Sequence, residues 1–171
     1  MATKLKKNGY GQLELNQVAF RRSGRIEAQC AIAEGIEFIE NGMLLAVNNM
    51  NRTVGYAAEG NVFPIALHYS TEHMYDERAN ALKDFRLDRD TYLPRMGYLG
   101  AGDKYTTNTV EYEGYDKEED FLDALGNEVL YAHAGANGYH LVNDKAEGAI
   151  ALAVAATTMP DGQKAVKFQA L

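Results

Sequence analysis

The densest group of side chains that could do chemistry lies in residues 68–77, which hold two histidines and three carboxylates. Imidazole and carboxylate groups are common protein ligands of zinc. The two histidines, His68 and His73, are five positions apart. That spacing puts them on different faces of a helix or a strand, whereas a zinc-binding helix needs a spacing of four. We therefore predict a polar loop and no metal site, with a small metal-dependent hydrolase that uses His68, His73 and a nearby carboxylate as the alternative.

The other residues that invite a chemical role have simpler structural explanations. The aspartates within residues 84–90 are interleaved with arginines and lack the central glycine of a calcium-binding loop. Cys30 is the single cysteine and stands in an apolar stretch, where burial raises a thiol pKa and leaves the sulfur inert. His133 and His140 lie in strand-like segments and are expected to be packed or surface side chains. We predict no enzyme activity, no catalytic residue and no cofactor.

Charge is distributed unevenly along the 171 residues, whose formal net charge is −7. Residues 1–25 carry six basic residues and one acidic residue, a formal charge of +5, whereas the 11 basic and 23 acidic residues that follow give −12. A basic segment on an acidic body can orient a partner, although a frayed terminus is the simpler alternative. The acidic body would repel a nucleic acid duplex, so a nucleic acid partner is not expected. The predicted partner-contacting residues are Lys4, Lys6, Lys7, Arg21, Arg22 and Arg25.

The chain has no run of apolar residues long enough to cross a membrane as a helix. Its first lysines are not followed by the apolar stretch of a signal peptide. We expect synthesis in the cytoplasm and no membrane partner.

Turn signals divide most of the chain into short apolar runs. Asn41-Gly42 precedes the run 43–47, and an Asn-Gly pair before an apolar run predicts a tight turn into a strand. A returning strand is expected over 52–58 and another over 62–69, with Pro64 marking an edge or a bulge. Residues 70–90 are charged and favour a short helix or a long polar loop equally.

The second half of the chain continues this pattern. A short helix is expected between Asp116, as N-cap, and Gly126, because Phe121, Leu122 and Leu125 share a face. Short strands between glycines predict a mainly β fold with one or two short helices, and an α+β fold is the alternative. We expect an extended basic arm over residues 1–25 and one β-rich domain over 26–171, which carries a polar, partly helical insertion around 70–126. The remaining strands are expected over 92–99, 106–112, 129–132, 139–142, 150–158 and 165–171.

The first strands resemble a known family. The run Glu34 to Val47, followed by Thr53 to Tyr56 and by Phe63 to Leu67, is similar to the core of tailed-bacteriophage head decoration (cement) proteins of the lambda-like β-tulip type. The resemblance covers residues 30–70 and lies in the order of turns and strands. Residues 70–126 have no counterpart in that family, which leaves the oligomeric state and the docking mode open.

The resemblance implies a fold of β-barrel (β-tulip) type and a structural protein of a virion. It implies binding to the major capsid protein on the outer surface of an assembled capsid, stabilisation of that capsid, and self-association as a homotrimer. The basic arm would reach onto neighbouring capsid subunits. A component of the tail or of the head-tail junction is the second hypothesis, and it predicts a ring or tube of protomers in solution.

Overall fold

A computed structural model describes residues 2–58, 60–70 and 82–171 of the chain. As the sequence predicts, the fold is mainly β with short helices. Its strands are β1 (Thr3–Lys4), β2 (Leu13–Gln17), β3 (Ile26–Glu27), β4 (Ala31–Ile32), β5 (Phe38–Ile39), β6 (Leu44–Asn48), β7 (Thr53–Tyr56), β8 (Ile65–His68), β9 (Leu87–Asp88), β10 (Met96–Gly97), β11 (Lys104–Thr107), β12 (Val110–Tyr112), β13 (Leu130–Ala134), β14 (His140–Asn143), β15 (Ala151–Thr158) and β16 (Lys164–Ala170). The helices are α1 (Phe20–Ser23), α2 (Glu118–Ala124) and a short 3₁₀ turn, Leu82–Asp84.

Over the described residues the strands form three sheets. The largest has the order β1-β12-β14-β13-β15-β16-β11-β2, the second has the order β3-β10-β8-β6-β7-β4, and β5 pairs with β9 in a third. Most pairs are antiparallel, and the parallel ones are β12 with β14 and β4 with β7. Alternate residues of β13 are buried, so one face of the largest sheet points into the core.

Strand β6 lies in the middle of the molecule because both of its faces are apolar. Leu44 and Ala46 belong to the core shared with the largest sheet, whereas Leu45 and Val47 belong to a second apolar cluster on the opposite side. A strand that is buried on both faces has a continuous apolar run and no alternation. The predicted turn before it is present, and Gly42 adopts a φ of 82° there. A Cβ at Gly42 would lie 2.1 Å from the Thr107 hydroxyl, so the site accepts only glycine.

Residues 2–25 belong to the folded body, whereas the sequence predicted an extended arm there. Strand β1 pairs with β12, and β2 pairs with β11. The side chains of Leu5, Leu13 and Phe20 are 1%, 7% and 0% exposed. These three side chains enter the core at separate positions, so their spacing along the chain has neither a helix nor a strand period. Their burial could therefore not be predicted from the pattern of apolar residues.

The largest sheet does not close into a barrel, so this part of the fold prediction is wrong. Over the described residues its terminal strands are β1 and β2. The chain between them, residues 5–12, forms no strand and is held by side chains and by two backbone hydrogen bonds, from the N–H of Leu5 to the Val110 carbonyl over 2.9 Å and from the N–H of Tyr10 to the Lys83 carbonyl over 2.6 Å. The backbone N–H groups of Lys7 and Asn8 donate to Oε1 of Gln163 over 3.1 and 3.0 Å, and Gln12 donates to Asp161 over 2.9 Å.

The predicted insertion at 70–126 is also part of the fold where the structure describes it. Residues 71–81, which include His73, lie outside the described residues, but the remainder supplies β9 to β12 to all three sheets. The predicted helix is present as α2. It begins later than expected, with Lys117 and not Asp116 at the N-cap position, and its Phe121 ring stacks on Tyr112 with centroids 4.4 Å apart. The four predicted C-terminal strands are present as β13 to β16.

Phe20 provides a test of how firmly the first residues are bound to the body. Replacing Phe20 by alanine should lower the free energy of unfolding by about 3–5 kcal/mol, because a fully buried aromatic ring is lost and a cavity is left. Tyr92→Ala is the matched control, since Tyr92 is 75% exposed, and it should cost less than about 0.5 kcal/mol. Urea unfolding measures both. Equal losses would show that residues 2–25 are not packed as described.

Candidate functional site

The three predicted lysines are engaged within the chain. Lys4 Nζ lies 4.0 Å from a carboxylate oxygen of Glu111, Lys6 pairs with Glu40, and Lys7 pairs with Glu118. Lys4 also lies over the ring of Tyr139, 4.6 Å from its centroid. These lysines hold the first residues to the acidic body, so their charges are partly balanced before any partner arrives.

The pair of Lys6 and Glu40 is the most buried of the three, with side chains that are 11% and 6% exposed. Glu40 also accepts the backbone N–H of Gly11 on the same oxygen and the hydroxyl of Tyr139 on the other, over 3.1 Å. Three donors therefore surround one carboxylate, which is the condition under which a buried charge is tolerated. The Tyr139 pKa is raised, first by burial and then by the Glu40 charge, so its hydroxyl keeps the proton that it donates.

The three predicted arginines lie together at one corner of the molecule. Arg21 and Arg22 are exposed on the single turn of α1, and Arg25 is exposed just after it. Arg25 donates from Nη2 to the carbonyl of Leu99 over 3.1 Å. We call Arg21, Arg22 and Arg25 the cationic corner. The sequence predicted these three residues as partner-contacting, and their exposure leaves that prediction open.

The cationic corner is held rigidly because α1 is anchored on both sides. The Phe20 ring packs beside Tyr69, with centroids 5.1 Å apart, and against the bare Cα of Gly97, where a Cβ would lie 2.4 Å from the ring. Gly24 ends the turn with a φ of 70°, and the N–H of Arg25 donates to the Phe20 carbonyl over 3.2 Å. A one-turn helix is not stable alone, so these tertiary contacts set its position.

A surface groove of about 930 Å³ borders this corner. Its walls are residues 15–19, which belong to β2 and the segment after it, residues 21–23 of α1, and the turn 101–103 before β11. We call it the edge groove. Within the part of the chain that the structure describes, β2 is a terminal strand of the largest sheet and pairs with β11 alone. A terminal strand leaves alternate backbone N–H and C=O groups available to another chain.

Asp103 holds the two walls of the edge groove together. Its Oδ1 accepts the N–H of Ala19 over 2.8 Å, and its Oδ2 accepts the N–H of Gly100 over 2.9 Å. The side chain is buried, at 6% exposure for the residue. The acidic residue of the groove is therefore turned into the structure, while Arg21 and Arg22 face outward. This role is not visible in the sequence, because Ala19 is 84 positions away from Asp103.

The candidate catalytic histidine His68 is a core side chain. It is fully buried, and its Nδ1 donates to the carbonyl of Glu40 over 2.7 Å. Nε2 must then accept, so the hydroxyl of Ser70 donates to it over 2.7 Å. Burial lowers the His68 pKa to about 4. Ser70 is also fully buried and accepts the N–H of Arg95, so this serine and histidine support the backbone.

His140 is held in the same manner elsewhere in the core. Its Nδ1 donates to the Thr109 carbonyl over 3.3 Å, and the Tyr105 hydroxyl donates to its Nε2 over 2.9 Å. Burial lowers the His140 pKa to about 4. His133 is bonded through Nε2 to the carbonyl of Lys145 over 2.8 Å. The structure brings none of these three histidines together over one pocket.

The remaining candidates also have structural partners. Cys30 is buried, as predicted, and its pKa is raised, first by burial and then by the nearby charge of Glu27. Asp88 pairs with Arg86 over 2.8 Å, and Asp90 pairs with Arg89 over 3.2 Å. Among the described residues there is no group of three or more histidine, cysteine or carboxylate side chains placed to hold a metal ion. None of the described helices has the length and apolar character that a membrane crossing requires.

Comparisons with known proteins give no match to this chain among protein-family models, curated proteins or solved structures.

The buried histidines should make stability depend on pH. The pKa values of His68 and His140 are lowered in the folded state. Below the ordinary value of 6.5 the unfolded chain therefore binds protons at these histidines and the folded chain does not. The contribution of the two histidines to the free energy of unfolding is complete above pH 6.5. It falls as the pH drops toward 4, by on the order of 3 kcal/mol for each histidine. Urea unfolding across this range should show a shallower decline for His140→Gln than for the natural sequence. Identical slopes would show that His140 is not buried in its neutral form.

The buried ion pair should be far more costly to break than its exposed neighbour. Lys6→Met leaves Glu40 buried without its cation and should cost about 3–5 kcal/mol of unfolding free energy. Lys7→Met is the matched control, because Lys7 is 56% exposed, and it should cost less than about 1 kcal/mol. Both values come from urea unfolding at neutral pH. A small loss for Lys6→Met would mean that Glu40 is hydrated.

Proposed function

We propose that the protein is a structural protein of a virion, which binds the major capsid protein on the outer surface of an assembled capsid and stabilises the shell. The observation that carries the proposal is the cationic corner, a rigid basic surface on a body whose formal charge beyond residue 25 is −12. Charge of one sign on a body of the other orients a protein before contact. The order of strands and turns in residues 34–67, which resembles that of head decoration proteins, gives the proposal its partner.

A rigid corner suits a repeating protein lattice. Arg21 and Arg22 stand on a turn fixed by Phe20 and Gly24, so little backbone freedom would be lost on binding. A protein that binds only the assembled lattice stabilises it by mass action. Many copies that each bind modestly are sufficient for a shell, because its subunits are already held together.

The structure changes the way in which this function should be tested. Deletion of residues 1–25 would remove Leu5, Leu13 and Phe20 from the core, so loss of binding by the truncated chain would mean only that it is unfolded. Charge reversal at exposed positions leaves the core intact. Arg21 and Arg22 are exposed and suit this purpose.

The test is co-sedimentation with preformed capsids of the virus that encodes the chain. The natural protein should sediment with the capsids and raise the temperature at which they break open. Arg21→Glu with Arg22→Glu should weaken binding by at least about tenfold, since two charge-assisted contacts become repulsive. The matched control is Lys117→Glu with Lys145→Glu, which makes the same change in net charge at exposed positions elsewhere and should bind normally.

Each outcome bears on a different part of the proposal. Normal binding by the arginine variant would remove the cationic corner from the contact and leave capsid binding in place. No binding by the natural protein would overturn the function. A ring or tube of the natural protein in solution, together with no capsid binding, would support the tail or head-tail junction.

A further inference from the structure

We propose that a pocket beside β13 and β14 binds a carbohydrate, whose ring hydroxyls pair with the donors and acceptors of its lining. The pocket has a volume of about 390 Å³. Residues of β13 and β14 line it, together with residues of the segments that follow β7 and β14. We call it the β14 pocket. Small-molecule sites range from roughly 300 to 1,000 Å³, so it has room for a pyranose ring. The inference goes beyond the proposed function and does not depend on capsid binding.

The two strands bring three side chains of the β14 pocket to one face of the largest sheet. His133 is paired with Leu141 across the strands, and Asn143 lies two positions further along β14. Alternate residues of a strand share a face, and so do residues paired across two strands. Their neighbours Ala132 and Val142 pack in the core, so the other face carries His133, Leu141 and Asn143. The sheet therefore holds these side chains in fixed positions.

Asn143 supplies donors to the β14 pocket. The residue is 8% exposed, and its Oδ1 accepts the backbone N–H of Lys145 over 3.0 Å, which fixes the orientation of the amide. Among the described residues no acceptor bonds to its Nδ2, and this nitrogen is not sealed in the interior. A nearly buried amide without an acceptor is costly. A ligand in the pocket that offers a lone pair would satisfy it.

The same pocket also contains acceptors. His133 donates from Nε2 to the Lys145 carbonyl over 2.8 Å, so Nδ1 of the neutral ring carries a lone pair. Glu113, which follows β12, and Glu147 line the pocket as well. Within the described parts of the chain neither of these two side chains forms an ion pair or a hydrogen bond. A matching ligand must therefore donate hydrogen bonds as well as accept them.

This mixture of groups selects among the classes of ligand. An anion would meet the charges of Glu113 and Glu147, and an apolar ligand would remove water from both carboxylates without replacing it. A simple cation would satisfy the carboxylates but leave the Asn143 amide without an acceptor. Over the described residues no three histidine, cysteine or carboxylate side chains are placed to hold a metal ion. A hydroxyl group both donates and accepts, so a ring that carries several hydroxyls matches all of these groups.

The apolar part of the lining suits the body of such a ring. Ile65 and Ile150 line the β14 pocket from the margin of the core, and Leu141 lines it from β14. All three side chains are half-buried. They offer contact to the C–H groups of a pyranose, while its hydroxyls reach the polar groups.

A titration followed by two-dimensional ¹⁵N–¹H NMR tests the inference with the full-length protein. The probes are the methyl glycosides of glucose, galactose, mannose and N-acetylglucosamine, each raised to about 50 mM, because single small ligands commonly bind in the millimolar range. At least one of them should shift the backbone amides of residues 141–147 in a saturable manner. Tetrahydropyran-2-methanol, which keeps the ring but has a single hydroxyl, should bind at least about tenfold more weakly than that glycoside.

Two variants of the pocket sharpen the test. Asn143→Asp keeps the oxygen that accepts the Lys145 N–H but removes the amide donors, so it should weaken glycoside binding by at least about tenfold. Glu113→Gln keeps the size of the side chain but removes its charge, and it should weaken binding by about three- to tenfold. The matched controls Asn51→Asp and Glu119→Gln make the same changes at exposed positions outside the pocket and should bind normally. The same spectra show whether each variant is folded.

Three results would overturn the inference. The first is that none of the four glycosides binds. The second is that glycoside binding is unchanged in both Asn143→Asp and Glu113→Gln, which would place the sugar elsewhere on the protein. The third is that N-acetylarginine methylamide or citrate binds more tightly than every glycoside, which would assign the pocket to a cation or to an anion. Capsid co-sedimentation by Asn143→Asp should be normal, so the two proposals stand or fall separately.

Discussion

The fold depends on one buried carboxylate. Glu40 lies at the turn before β6 and receives three donors from two distant parts of the chain: Lys6 and Gly11 from the first residues, and Tyr139 from just before β14. A charge in a nearly dry site is tolerated only when it is compensated on all sides. Glu40 therefore fixes how three parts of the fold lie against one another: the central strand β6, residues 5–12 between β1 and β2, and the largest sheet. A second contact reinforces it, because the N–H of Leu44 donates to the carbonyl of Gly138 over 2.7 Å.

This arrangement divides the basic residues of the first 25 positions into two groups. The lysines fasten the segment to the acidic body, and the arginines remain on its surface at the cationic corner. The two groups have the same charge in the sequence but different physical roles. Lysine, a point charge on a flexible stem, follows the local geometry of an acidic surface, whereas arginine presents a flat, fixed set of donors to a partner. The unequal distribution of charge therefore serves folding through the lysines and, under the proposed function, recognition through the arginines.

Features that depend on neighbouring residues could be predicted from the sequence, whereas contacts between parts that are far apart in the chain could not. The turn at Asn41-Gly42, the helix marked by Phe121 and Gly126, and the strands after residue 129 depend on neighbouring residues, and all of them are present. The packing of Phe20 on Gly97 and the bond between Asp103 and Ala19 join parts of the chain that no local pattern connects. The barrel was implied by the family resemblance, but closure depends on whether the two terminal strands meet. The candidate site was found only in part for the same reason: the arginines are visible in sequence, whereas the groove beside them forms by folding.

The residues that fix the position of the cationic corner are different from the arginines that are exposed on it. Phe20, Gly24 and Asp103 fix its position through a ring, a left-handed backbone and two hydrogen bonds, and none of them needs the arginine side chains to do so. The shape of this corner therefore depends mainly on residues other than the exposed Arg22. Under the proposed function, a surface built in this way could change with its partner at Arg22 while the packing of Phe20 and Asp103 stays constant.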